Sequence, residues 1–485
     1  MQSIPPATVV WFRRDLRLSD NPALSAAVAR GGPVVAAWVH APGEEGDSAA
    51  GAAARVFLHD ALHSLAEALE ARGSRLVLRR GPTVKALVQL ARETGADAVY
   101  ANKVWDPPFL DRDSKAVAAL RANGLEARLF DDGVLFPPDA VKTAAGGPFR
   151  VFTPFWRRCR SSPGPEAPRS APARISSPVT PPPSWPLPEL RLRPSVPWDA
   201  GIRDAWPPGE RGAGDLLSRF LDDAMAAYPD DRDRPDRDGT SRLSPYLHLG
   251  CVGARQAWHA VQSRAGADSA PGAARGGEAF LRQLVWREFA HHLLFHFPAT
   301  VHAPLRGEFT AFPWRDDPDA LVAWQKGRTG YPLVDAGMRQ LWKTGWMHNR
   351  VRMVVASFLV KDLLLPWRVG AAWFLDTLVD ADLANNTFGW QWVAGCGADA
   401  SPYFRVFNPA LQGGKFDPRG DYVRTWVPEL ARLPDRWIHR PWEAPASVLS
   451  GAGVTPGTTY PMPIVDHAAA RLRALAALSA VRRYS

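Results

Sequence analysis

Between Ser161 and Trp198 the chain carries prolines at 163, 165, 168, 172, 178, 181, 182, 183, 186, 188, 194 and 197. Proline fixes φ and has no amide hydrogen to donate, so a stretch this dense forbids helix and sheet interior and reads as an extended connector. At 485 residues the chain exceeds what one hydrophobic core usually organises, which leaves two domains or one large elaborated domain.

The two sides of the connector differ in rhythm. From Thr8 to about Asp132, short β-branched runs (Thr8–Phe12, Pro33–His40, Arg75–Arg79, Ala98–Asn102, Glu126–Phe130) alternate with helical patterns such as Ala52–Arg72 and Thr83–Thr94. That alternation predicts parallel strands with crossover helices, an α/β domain with a Rossmann-like sheet. No GxGxxG follows the first strand, so no dinucleotide is placed at that turn. Beyond Gly214 long amphipathic patterns dominate, among them Gly277–Phe297, Gly337–Leu365 and Val369–Leu378, and predict an all-α second half. The expected division is 1–135 for the α/β domain, 136–205 for the connector and 206–485 for the helical domain.

Hydrophobic residues at 46% and charged residues at 22% exclude disordered and fibrous classes for the chain as a whole. A net charge of +9 favours a polyanionic partner such as nucleic acid. Cys159, Cys251 and Cys396 form no CxxC pair, point to a reducing cytoplasmic setting and are too few for an all-cysteine iron–sulfur cluster. Met1–Pro6 shows no secretory pattern, and no run reaches the ~20 apolar residues of a membrane span.

Four constellations carry chemistry. Phe280, Gln283, Trp286 and Arg287 fall on one side of a predicted helix, where an aromatic, an amide and a cation could hold a stacked base, although plain helix packing explains the same spacing. Asn349 and Met353 lie one turn apart; the Asn side chain offers both the donor and the acceptor needed to read a base edge, and Arg350 beside it suits a phosphate or a solvated helix start. Asp380 and Asp382 precede Asn385, Asn386, Trp390, Gln391 and Trp392; with no histidine spacing nearby, hydrogen bonding to a polar organic ligand is favoured over metal, and no metal site is assigned. Thr240, Ser241, Arg242, Leu243 and Ser244, preceded by Tyr228, offer hydroxyls and amides around a cation, a set that suits a diphosphate or a helix cap.

Together these segments resemble the photolyase/cryptochrome family, from VVWFRRDLRLSDNPAL through TSRLS, WREF, GYPLVDAGMRQL, GWMHNRVRM and DLANNTFGWQW to PYFRVFNP. The resemblance implies a C-terminal helical domain that binds FAD. Tyr228, Thr240, Ser241, Arg242, Leu243 and Ser244 would hold its diphosphate and ribityl region, and Arg352, Asp380, Asp382 and Asn386 would surround the isoalloxazine. It further implies that Trp390, Trp367 and Trp314 relay an electron inward, and that a pyrimidine dimer, flipped out of DNA, is received by Trp286 and Trp392 with contacts from Gln283, Arg287, Asn349, Arg350 and Met353. An amide at Asn386 matches the photolyases, whereas the family's light sensors more often carry another residue there.

The function implied is light-driven repair of cyclobutane pyrimidine dimers by a soluble, cytoplasmic monomer. Two alternatives stand beside it: a cryptochrome-like blue-light photoreceptor and a 6-4 photolyase. Dimer-specific relatives usually have Glu where this chain has Gln283. The 6-4 enzymes typically need a second histidine where it has Asn349. The antenna loop holds Asp106-Pro107-Pro108-Phe109 where folate-binding relatives commonly include Glu, so methenyltetrahydrofolate, a deazaflavin or no second chromophore are all compatible with it.

Overall fold

The computed structural model describes residues 5–267, 271–399 and 404–483. Met1–Ile4 of the N-terminal segment and Pro402 and Tyr403 of PYFRVFNP lie outside the described residues.

Five parallel strands, β1 (Ala7–Phe12), β2 (Val34–His40), β3 (Leu76–Arg80), β4 (Ala96–Asn102) and β5 (Glu126–Phe130), form one sheet in the order β3-β2-β1-β4-β5. Val9 faces Val35 on one side and Val99 on the other. Helices Pro22–Ala29, Ala52–Glu70, Thr83–Thr94 and Pro107–Ala122 make the crossovers. β1 is buried along its whole length, which is why it reads as a continuous apolar run rather than an alternating one.

Strand order reverses between β1 and β4, the place where doubly wound sheets usually bind ligands. Here the protein's own side chains fill it. Arg13 pairs with Asp113 at 2.7 Å, and the Asn102 amide donates to Asp15 at 2.7 Å and to Asn21 at 2.8 Å.

The proline-rich segment is extended, apart from a single 3₁₀ turn at Leu187–Leu190, and it is docked rather than loose. The Leu78 amide donates to Ser184 Oγ at 2.9 Å, the Trp185 amide to the Leu78 carbonyl at 3.0 Å, and Arg75 to the Pro182 carbonyl at 2.7 Å. These bonds cover the outer edge of β3, which would otherwise present unpaired backbone groups.

The described chain groups into two compact units. The first takes residues up to Ala226, then Ser241–His296 and Val379–Ala384; the second takes Ala227–Thr240, Phe297–Leu378 and the chain from Asn385 onward. In the first, helices Ala254–Ala267 and Ala273–His296 pack on each other, and the latter also packs on helix Phe152–Ser161. The second has no named strand among its described residues; its helix Pro332–Thr344 packs on Asn349–Ser357, Pro409–Phe416 and Asp421–Trp426. The amphipathic pattern read as continuous from Gly337 to Leu365 breaks at Gly345, which closes the first helix at φ 67°. His348 then caps the next helix by accepting from the Arg350 amide.

Candidate functional site

Helix Ala273–His296 carries the first constellation. Phe280 is buried against Phe220, with ring centroids 4.6 Å apart, while Gln283, Trp286 and Arg287 are half-buried. Trp286 lies flat on Phe152, with centroids 3.5 Å apart and planes 7° from parallel, so one indole face is occupied and the ring is held in place. Arg287 is turned inward: its Nη1 donates to the Gly133 carbonyl at 2.8 Å and lies 3.2 Å from Glu288 Oε1. It thereby holds the loop after β5.

Glu288 supports that loop from the other side, its Oε2 accepting from the amides of Leu135 at 2.6 Å and Phe136 at 3.2 Å. Burial pushes its carboxyl up to about 7, against the opposing pull of Arg287 and the two amides.

Asp380 and Asp382 are both buried. Local spacing offered them no histidine, but the fold brings two from elsewhere. Asp382 Oδ2 faces His291 Nε2 at 3.5 Å and His248 Nδ1 at 3.8 Å, and His291 Nδ1 faces Asp106 Oδ1 at 3.8 Å. Burial raises the Asp382 carboxyl, yet the facing His291 and His248, together with Arg287, hold it well below the usual carboxylate range. Burial lowers both imidazoles.

Asp106, His291 and Asp382 place one ligand atom each within 4.8 Å of one another. A cation there would join two guanidiniums already in place, because Arg14 pairs with Asp106 at 2.7 Å and Arg287 acts on Asp382. Asp106 Oδ1, His248 Nδ1 and both ring nitrogens of His291 are buried without hydrogen-bond partners. Unused donors and acceptors of both kinds fit a polar, hydrogen-bonding organic group.

Arg242 takes a left-handed backbone (φ 51°), Ser241 Oγ accepts from the Leu243 amide at 3.4 Å, Leu243 is buried, and exposed Ser244 opens a short helix to Leu249. In the second unit Thr240 is half-buried, and Tyr228 is buried with its phenol raised by that burial.

Helix Asn349–Ser357 presents exposed Asn349 at its start and half-buried Met353 one turn on. Arg352 Nε donates to the Met347 carbonyl at 2.7 Å. The Asn386 amide donates to the Ala371 carbonyl at 3.0 Å, which fixes the side chain against helix Trp367–Thr377.

Trp390, Trp367 and Trp314 differ in depth: Trp390 is 2% exposed, Trp367 5%, and Trp314 is half-buried beside Phe312, with centroids 4.3 Å apart. Trp392 lines a small pocket with Lys361, Phe404 and Phe407, where burial lowers the Lys361 ammonium to about 7.

Sequence reasoning missed several neighbours. Trp324, fully buried, touches the Trp390 ring at 6.3 Å and donates its indole N–H to the Val355 carbonyl at 3.1 Å. Gly370 leaves space that Trp390 occupies, since a Cβ there would lie 2.1 Å from Trp390 Cη2. Asp106, His248 and His291 carried no mutual spacing signal at all.

Residues 8–173 match the DNA photolyase family, and residues 280–480 match the FAD binding domain of DNA photolyase. The chain is 49% identical over 476 residues to the deoxyribodipyrimidine photo-lyase of Agrobacterium fabrum, covering 98% of each. It is 43% identical over 473 residues to cryptochrome-1 of Arabidopsis thaliana, covering 96% of this chain and 69% of that protein. A crystal structure of a bacterial class III photolyase from Agrobacterium tumefaciens superposes with a TM-score of 0.95 at 48% identity, over 100% of this chain and 99% of the other.

Proposed function

The chain belongs to the DNA photolyase family, and we propose that within it this protein is a cyclobutane pyrimidine dimer photolyase of the cytoplasm. The observation that carries this reading is helix Asn349–Ser357, whose exposed first residue is an amide able to pair with a base edge, with Met353 one turn behind it. A 6-4 enzyme would need an acid at Asn349, and an amide has no proton to give.

In this reading Tyr228, Thr240, Ser241, Arg242, Leu243 and Ser244 hold the diphosphate and ribityl part of FAD. Arg352, Asp380, Asp382 and Asn386 line the isoalloxazine. When bound and reduced, FAD supplies on illumination the electron that opens the dimer's cyclobutane ring and receives it back. The chain's own residues do the rest. Trp286, stiffened by Phe152, and Trp392 receive the flipped dimer; Gln283, Asn349 and Met353 contact its pyrimidines; Arg350 meets a phosphate. Asn386, an amide, gives the flavin no proton. Trp390, Trp367 and Trp314 conduct an electron inward, an order supported by their decreasing burial.

Two further features agree with the setting proposed. The three cysteines are buried free thiols, each pushed up to about 12 chiefly by burial, as suits a reducing compartment. No described helix is long and apolar enough to cross a membrane.

A cryptochrome-like photoreceptor is the second reading, favoured by Gln283. Equilibrium binding in the dark separates the readings. DNA carrying one dimer should bind more tightly than undamaged or 6-4 DNA, and Trp286→Ala should weaken dimer binding by about 1–3 kcal/mol, the value of a stacked base. Equal affinity for all three DNAs, unaltered by Trp286→Ala, would favour the photoreceptor.

A further inference from the structure

Arg350 is not presented bare. Its Nη2 makes an ion pair with Asp233 Oδ2, and its guanidinium carbon lies 4.4 Å from the Phe416 ring centroid. The two side chains are 19% and 35% exposed, so the pair sits at the rim rather than in the core. It is a single hydrogen bond and not the two-pronged fork that guanidinium and carboxylate can form, and Arg350 Nε is buried with no acceptor. Neighbouring acids in the 227–240 segment have their own arginines: Asp231 pairs with Arg237, and Asp236 with Arg234. Asp233 is the acid directed at Arg350, with Arg232 as a more distant partner at 3.8 Å.

We propose that Asp233 occupies a phosphate's place on Arg350 and withholds that contact from undamaged DNA, setting how tightly the protein holds DNA that carries no lesion. The inference rests on the reading that Arg350 meets a DNA phosphate. A half-exposed, one-bond ion pair is weak enough to be exchanged, yet a phosphate must displace a like charge to make the exchange. Undamaged duplex, which gains nothing from the lesion pocket, leaves the pair closed. A flipped dimer brings the stacking energy of the pocket and opens it. Asp233 thereby withholds one DNA contact where no lesion is present, and lesion binding gives up the energy of the pair it opens.

The experiment is dark binding of undamaged and dimer-containing duplex to the FAD-loaded protein over a series of salt concentrations. The proteins compared are the wild type, Asp233→Asn, Asp233→Glu, Arg350→Gln and the Asp233→Asn/Arg350→Gln double variant, each with retained FAD absorbance as the check of folding. Asp233→Asn should bind undamaged duplex several-fold more tightly, steepen its salt dependence by about one phosphate contact, and tighten binding of the dimer at least as much. Asp233→Glu should behave as wild type, and Asp233→Asn should have no effect once Arg350 is Gln. Unchanged binding of undamaged DNA in Asp233→Asn, while Arg350→Gln weakens dimer binding, would overturn the inference and leave the phosphate role of Arg350 intact. Equal tightening by Asp233→Asn with and without Arg350 would reduce it to a general charge effect and overturn it as well. Arg350→Gln without effect on either DNA would remove the phosphate role itself, and the inference with it.

Discussion

Gln283 stands half-buried one turn before Trp286 on helix Ala273–His296. Its amide can donate to a pyrimidine carbonyl but has no transferable proton, so it stabilises charge developing on a dimer less than a protonated carboxyl would. Gln283→Glu should therefore raise the yield of dimer splitting per absorbed photon. A difference of ~1 kcal/mol changes the competition between ring opening and charge return several-fold; an equal or lower yield in the variant would contradict this role. Glu288, five residues on, makes a prediction about stability. Its carboxyl titrates at about 7 when folded, against 4.5 for an unperturbed glutamate. As pH rises from 4.5 toward 7 the unfolded chain releases this proton first, so stability from the neutral carboxyl is complete below 4.5 and declines through that window. Glu288→Gln removes the decline, and the difference in thermal midpoint between wild type and variant should shift against the wild type as pH rises from 4.5 to 7. A pH-independent difference would show that Glu288 does not titrate there. At this scale the sequence made legible which residues share the helix face, because period 3.6 is local. It did not reveal that Arg287 would turn to Gly133, a partner 154 positions away.

Helix Trp367–Thr377 would serve the proposed electron route in three ways: it begins with Trp367, accepts the Asn386 amide at Ala371, and leaves room for Trp390 at Gly370. Gly370→Ala would drive a methyl into the indole, and overpacking of this kind typically costs about 1–3 kcal/mol. The variant should melt earlier and photoreduce its flavin more slowly; photoreduction at the wild-type rate would show that the placement of Trp390 is immaterial. Trp314→Phe at the half-buried end should slow photoreduction yet spare repair by chemically reduced protein, whereas Trp390→Phe with normal photoreduction would remove the route altogether. The sequence foretold all five strands to within a few residues, β5 at Glu126–Phe130 without shift, and likewise the helix Thr83–Thr94. It failed where an amphipathic period continues through a break, as at Gly345, since periodicity records the buried face and not the backbone turn that interrupts it. Proline density likewise gave an extended connector but not its docking on β3, which depends on backbone groups that every residue carries.

Over the whole molecule, what was legible was the pairing of a parallel sheet with a helical half and the order of the motifs; what was not was the company those motifs keep. Asp382 meets His248 and His291, and His291 meets Asp106, drawing on segments far apart in the chain, so no local spacing could announce them. The net charge of +9 suits a DNA partner without identifying the damage recognised. The central claim, that light drives this protein to split pyrimidine dimers, is tested by illuminating the FAD-loaded, fully reduced protein with an oligonucleotide carrying a single dimer, beside a dark control, and following the return of pyrimidine absorbance. Recovery of intact pyrimidines in the light, many per protein molecule and none in the dark, is the predicted result; a dimer left untouched while light alters the flavin spectrum would contradict it.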